Sequence, residues 1–365
     1  MTIQVTKEPI NLREKLNELE TNKGLKGNEI LQAETAQEVR SLIGAGRKNL
    51  IINGGFDVWQ RGTSATSYNS YASADRWKHL TYGAISKVSD GDRNTVLKMV
   101  TSTTSSVNYI RQYLEAPANL KGKTLTLSFW MKTSEALTTR VDFWLHDSSS
   151  NYAIYGKDGG VAGDAIALSV ATTTSWAKYS VSVTVPTYTE KTDGTDKLEI
   201  NVGVANSTAA GKSVYIDDVQ LELGSVATDF EHRSYGEELA LCQRYCVAWQ
   251  SNGNPLGTGG AISTSGARSA LGFGNAHNTS NPVTWLELPV VLRNAPTLTV
   301  SAVGDFQFDR GWAGLATYTN MSIQALRSSY KTIALIGSTT GLNNGDAGVL
   351  DFNKTTAYLI LDAEL

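Results

Sequence analysis

In this 365-residue chain the side chains best suited to chemistry are aromatic rings and carboxylates set on alternating segments. In TLTLSFWMK (124–132), Leu125, Leu127, Phe129 and Met131 alternate with Thr124, Thr126, Ser128 and Trp130. In VDFWLHD (141–147), Val141, Phe143 and Leu145 alternate with Asp142, Trp144 and His146. If the apolar set turns inward, as a period of two requires of a half-buried strand, Trp130, Trp144 and His146 stand on the opposite face. Tyr109, Arg111 and Tyr113 alternate in the same way in NYIRQYLE (108–115). Rings standing on a sheet suit sugars, because the apolar face of a pyranose stacks on a ring while Asp, Asn and Gln serve its hydroxyls. The competing reading is that loops or neighbouring subunits cover both faces, so that these rings only pack.

Nucleophilic and hydrolytic signatures are absent. The chain has no Gly-x-Ser-x-Gly elbow, no His-Glu-x-x-His and no complete phosphate-cradling Gly-x-x-x-x-Gly-Lys-Ser/Thr loop, and its four histidines (His79, His146, His232, His277) are scattered singly. The chain is therefore expected not to be an enzyme. Glycan cleavage would need two carboxylates roughly 5–10 Å apart, a pairing that a sequence does not exclude. The two cysteines, Cys242 and Cys246, are four apart in ELALCQRYCVAW, which reads as helical and would put both on one face. A disulfide there has poor geometry, and without clustered histidines a zinc site is weakly signalled, so both are expected to be small packing residues.

The elements that must hold these residues are mostly strands. With 33 Gly, 15 Tyr, 8 Trp and 18% charged residues, the chain favours sheet and turn over helix, and its length suggests roughly two to three units. A net charge of −3 with no long Lys/Arg block gives no nucleic-acid or membrane-surface footprint. No run approaches the ~20 apolar residues of a membrane helix, and MTIQVTKEPINLREK lacks the basic-then-apolar pattern of a secretion signal.

Charged residues crowd into the first 48 positions. There Asn11 caps a stripe of Leu12, Leu16 and Leu19, and Thr35 with Glu38 caps Val39, Leu42 and Ile43. Each helix is too short to stand alone in water and needs a partner surface, either its own β unit or another protein. From Asn49 the period becomes two. Strands are expected in AKYSVSVTVP, LEINVGVAN and SVYIDDVQLEL, then in TWLELPVVL, APTLTVSAV, GDFQFDRGW, SIQALRSS, KTIALIGST and TTAYLILDAEL. The expected organisation is a helical attachment or oligomerisation segment (1–46), a jelly-roll β-sandwich (47–233), a helical connector (234–249) and a second, sandwich-like β domain (250–365).

Several stretches resemble a known family. NLIINGGFDVWQRG (49–62), ADRW (74–77) and YIDDVQLELG (215–224) resemble the first and last strands of the carbohydrate-binding-module-like jelly roll of phage and prophage tail fibre proteins. ELALCQRYC, LPVVLRNAPTLTV and the terminal DAEL are similar to the region that follows it, and ETAQEVRSLIGAG resembles the helical lead-ins of such fibres. The resemblance implies a virion appendage, usually a homotrimer, made in the host cytoplasm. It implies docking to other tail proteins through residues 1–46 and binding of a host surface glycan, without catalysis or a required cofactor. An architectural adaptor or decoration protein, and a glycan-degrading tailspike, remain open beside it. Family members often carry Glu after the Asn-Gly-x-Phe motif where this chain has Asp57. A structural Ca²⁺ held by Asp57, Asp217 and Asp218, near the Asn53–Gly55 turn, is the metal site it suggests.

Overall fold

The computed structural model describes residues 48–364 apart from 103–107, 116, 149–150, 155–165, 206–208, 251–269, 326–327, 330, 353 and 355–356. The two N-terminal helices expected from the sequence, with Leu12, Leu16, Leu19, Val39, Leu42 and Ile43, lie outside the described residues. Among the described residues no helix is long and apolar enough to cross a membrane.

The chain is mainly β. The first unit runs through β1 (Ser64–Ala65), β2 (Lys78–Leu80), β3 (Ile85–Asp90), β4 (Arg93–Val100), β5 (Asn108–Glu115) and β6 (Thr124–Thr133). It continues with β7 (Thr139–His146), β8 (Asn151–Ile154), β9 (Ile166–Leu168), β10 (Ala177–Thr184), β11 (Lys197–Val204) and β12 (Ser213–Leu223). These form two antiparallel sheets, one ordered β1-β3-β4-β12-β6-β10 and the other β2-β5-β11-β7-β8, with β9 also against β7. The alternation seen in the sequence is the alternation of burial. Leu125, Leu127, Phe129 and Met131 of the first sheet meet Val141, Phe143, Leu145, Leu198, Ile200 and Val202 of the second in one core, all with no exposed surface. Each such side chain contributes about 1.5–3 kcal/mol relative to exposure.

The segment expected to be the first strand is not one. Residues 49–62 form a buried, irregular stretch in which Asn53 and Phe56 take positive φ (58° and 54°). The Asn53 side chain templates it, donating to the carbonyls of Val58 (2.8 Å) and Asp75 (3.0 Å) and accepting from the Val58 amide (3.0 Å). Trp77 donates its indole N–H to the Asn53 carbonyl at 2.8 Å. The stretch still lies along β12, as the motif pairing anticipated: Leu50 donates to the Leu221 carbonyl and Val219 to that of Gly54.

Ser234 and Glu237 form a reciprocal capping box that starts α1 (Tyr235–Gln243). The helix is shorter than the expected connector. After Arg244 the chain becomes β13 (Cys246–Gln250), whose Val247 and Trp249 suit a strand and which pairs with the end of the second unit. Cys242 and Cys246 therefore do not share a helix face; both are buried free thiols, their pKa raised by that burial. The rest is β14 (Ala270–Ala276), β15 (Pro282–Glu287), β16 (Thr297–Val300), β17 (Phe306–Asp309), β18 (Leu315–Thr317), β19 (Asn320–Ile323), β20 (Thr332–Ser338), β21 (Ala347–Phe352) and β22 (Tyr358–Asp362). A three-stranded sheet β13-β22-β16 and a seven-stranded sheet β18-β17-β21-β14-β15-β20-β19 share a second core around Phe306, Phe308, Leu286, Leu335 and Leu359.

Charged groups join the two units. Arg61 bridges Asp75 (3.0 Å) to Asp362 (3.1 Å) and Glu364 (3.3 Å), and Arg76 also binds Glu364. The Arg76 guanidinium lies 3.4 Å from the centre of the Tyr245 ring and donates to the Tyr113 carbonyl at 2.8 Å. Burial pushes the Asp75 carboxyl up to about 7 against the pull of Arg61.

Candidate functional site

The outer face of the second sheet gathers five of the six sequence-chosen binding residues. β11 lies between β5 and β7, so its polar positions meet theirs in register. Glu199 stands opposite Tyr113 and Trp144, Asn201 opposite Arg111 and Asp142, and Gly203 opposite Tyr109 and Arg140. Gly203 is glycine for a reason of space, since a Cβ there would come within 2.5 Å of the Tyr109 Cα and Cβ.

Glu199 is the hub of the face. One oxygen meets Arg111 and the Asn201 amide, both at 2.8 Å, and the other meets His146 Nε2 at 2.8 Å. Arg111 spends its remaining donors on Asn201 Oδ1 (2.8 Å) and on the hydroxyls of Tyr113 (3.1 Å) and Tyr109 (3.2 Å). Burial would raise the Glu199 carboxyl, but the His146 hydrogen bond and the Arg111 charge outweigh it and hold the pKa below its ordinary value. Asp142, beside it, shows the reverse balance. Burial drives its carboxyl up to about 6 although Arg140 Nε donates to Oδ2 at 2.8 Å. Its Oδ1 has no hydrogen-bond partner among the described residues.

Tyr109 and Tyr113 are only 7% exposed, covered in part by Arg111, Arg140 and Lys197, whereas Trp144, Arg111 and His146 are half-buried. Tyr113 and His146 meet edge to face at 5.9 Å. The face can stack a ring and exchange hydrogen bonds. Both Glu199 oxygens are already engaged, which suits an orienting group better than a nucleophile or base.

The expected single platform uniting Trp130 and Trp144 does not form. The chain crosses from one sheet to the other between β6 and β7, so Trp130 is on the outside of the first sheet and Trp144 on the outside of the second. Trp130, also half-buried, flanks the Arg93 guanidinium (5.0 Å) together with Trp176 (4.7 Å).

Arg93 also decides the calcium question. Its Nη1 donates to both Asp217 and Asp218, so a guanidinium sits where a cation would. Burial and the Asp218 charge push the Asp217 carboxyl up to about 7 despite Arg93. Asp57 is raised by burial too, and Lys87 is the cation nearest in influence, donating to the Asp57 carbonyl at 3.3 Å. Among the described residues no group of three or more His, Cys, Asp or Glu could hold a metal. The residues do not fit a bound Ca²⁺, because side-chain cations already supply the charge.

Glu199, Asn201, Asp142, Arg140, Lys197 and Lys78 were not singled out from the sequence. The alternation of LEINVGVAN did place Glu199 and Asn201 on the polar side; what it did not carry was that β11 lies between β5 and β7.

No family description matches the chain, and no curated protein does. Among solved structures, the chain is similar to a candidate sugar-binding protein of Bacteroides thetaiotaomicron (TM-score 0.35, 15% identity, 48% of this chain and 100% of that one). It is similar to the enzymatically active domain of bacteriophage CBA120 tailspike protein 4 (0.30, 17%, 48% and 21%). A third is the N-terminal cellulose-binding domain of Cellulomonas fimi β-1,4-glucanase C (0.29, 17%, 47% and 95%). These are likenesses of shape over less than half of this chain.

Proposed function

We propose that this chain is a non-catalytic, glycan-binding subunit of a virion appendage, and that the outer face of the second sheet is its sugar site. The observation that carries the reading is the convergence of Tyr109, Tyr113, Trp144, Arg111 and His146 around Glu199 and Asn201. Half-buried Trp144 supplies the stacking surface, and the hydrogen-bonded hub pre-orients the polar groups, so binding orders few side chains. Placement in a tail fibre, homotrimeric assembly and docking through residues 1–46 rest on the motif resemblance alone.

A second reading, an adaptor that binds other virion proteins, is favoured by one feature of the second unit. Leu315 (45% exposed), Phe273 (74%) and Trp285 (37%) lie in one row across the seven-stranded sheet, beside an open groove of about 480 Å³ floored by Gly348 and Val349. Affinity electrophoresis in a panel of polysaccharides separates the readings. Trp144→Ala should weaken retardation at least about tenfold, the loss of one stacking contact, while Phe273→Ser leaves it unchanged. Retardation that survives Trp144→Ala but is lost with Phe273→Ser would move the site, and no retardation by any glycan would favour the adaptor.

A further inference from the structure

The charges on the second-sheet face do not balance. Four cations, Lys78, Arg111, Arg140 and Lys197, share it with three carboxylates, Glu199, Asp142 and, at the end of β5, Glu115, and the register places Lys78 opposite Arg111 and keeps Lys197 in phase with Glu199. The two arginines are matched, Arg111 by Glu199 and Arg140 by Asp142, each at 2.8 Å. Neither lysine has a carboxylate within ion-pair distance among the described residues. Lys197 stands over the Tyr113 ring (4.1 Å from its centre) and Lys78 over Tyr71 (5.6 Å), contacts that hold an ammonium in place without cancelling its charge. Glu115, the acid opposite Lys197 in register, is bound instead by Arg244 and Arg293.

The two ammonium groups are also partly withdrawn from water and within reach of each other's field. Burial and then Arg111 hold the Lys78 pKa below its ordinary value. Lys197 is lowered by burial and by Lys191, Lys78 and Arg111, against Glu199. A local excess of positive charge on a chain of net charge −3 is a specific arrangement, not a general surface property.

We infer that this face takes a negatively charged sugar, a residue bearing a carboxylate of the uronic-acid kind, its anion drawn to Lys78, Arg111 and Lys197 while its ring stacks on Trp144. The inference rests on the glycan reading above and names the chemical class of its ligand. A partly desolvated lysine gains more from a carboxylate than an exposed one would, and a neutral pyranose would leave the excess charge unmet.

The test is affinity electrophoresis and titration calorimetry of the full chain with polygalacturonate, with neutral xylan and with dextran sulfate, at low and at high salt. Polygalacturonate should bind about tenfold or more tightly than xylan, and the advantage should disappear near 1 M salt, where screening shortens to ~3 Å. Lys78→Gln with Lys197→Gln, confirmed folded by an unchanged unfolding midpoint, should lower polygalacturonate affinity about tenfold. The salt series on the unaltered chain serves as the independent check should that variant misfold. Equal affinity for xylan and polygalacturonate, or no salt dependence, would overturn the inference while leaving the glycan reading in place. Dextran sulfate bound as tightly as polygalacturonate would reduce the face to a general anion exchanger and also overturn it. Failure of all three polymers to bind would overturn the inference, and only failure across the full polysaccharide panel would remove the glycan reading as well.

Discussion

Asp142 has one carboxylate oxygen on the Arg140 guanidinium and the other without a hydrogen bond, at 1% exposure. A carboxyl in that position costs least when protonated, which is why burial carries its pKa up to about 6. The sign for stability follows. The folded-state pKa lies above the unfolded one, so the protonated carboxyl's contribution is fully present below about pH 4 and is lost as pH rises through about 6. At about 1.4 kcal/mol per unit, this site makes the fold at most about 3 kcal/mol less stable at pH 7.5 than at pH 4. Asp142→Asn keeps the shape and removes the titration. In urea unfolding at pH 4.5 and 7.5, the variant should show a smaller drop between the two conditions than the unaltered chain; equal drops would place the titration elsewhere. Glu199, two strand positions from Asp142 in register terms, needs its charge instead, because His146, Arg111 and Asn201 all converge on it.

Where strands meet irregular chain, single glycines decide the fit. β12 carries a bulge between Asp217 and Gln220, with Asp218 at φ 49°, and the turn 53–56 is pressed into it. A Cβ on Gly54 would stand 2.1 Å from the Val219 carbonyl oxygen. Gly54→Ala should therefore destabilise by about 1–3 kcal/mol, the usual cost of forced overpacking. Gly236→Ala, in α1 with nothing within 4 Å of its Cβ, should be neutral or gain up to about 1 kcal/mol. Equal effects of the two in denaturant unfolding would contradict this account. These contacts explain what could be read beforehand. The period of two in 124–132, 141–147 and 197–204 announced β6, β7 and β11 and their inward faces, because burial alternates with the side chains. Pairing left no such local mark: β6 lies between β10 and β12, and β7 beside β11, so Trp130 and Trp144 part company though only a short turn separates their strands. β14 was hidden for another reason. Its Gly272 and Gly274 make ALGFGNA read as turn, yet a Cβ at either would come within 2.3 Å of a β15 carbonyl oxygen. Likewise Cys246 continued a helical count in sequence, but β22 offered that stretch a strand partner.

At the scale of the molecule, the two cores are joined through charge. Arg61 and Arg76 have side chains 6% and 2% exposed, and Glu364, at 4%, answers both. Gln60 adds a hydrogen bond to the Cys246 carbonyl at 2.8 Å. Removing the acid leaves the buried Arg76 guanidinium without a carboxylate, while Arg61 keeps Asp75 and Asp362, a loss of about 3–5 kcal/mol. Glu364→Ala should thus lower the unfolding midpoint and split one cooperative transition into two, seen by calorimetry, as the cores lose their coupling. A single transition at an unchanged midpoint would show that apolar contacts alone hold the units together.

The same junction sets an order of events. Arg76 and Glu364 are 288 residues apart in the chain. At roughly 5–20 residues per second of synthesis, about fifteen to sixty seconds pass between their emergence from the ribosome. Through that interval the nascent sandwich carries Arg76 without the carboxylate that answers it, while Arg61 already has Asp75. The seam closes only when Glu364 arrives, so the molecule's final shape is timed by its C-terminal strand.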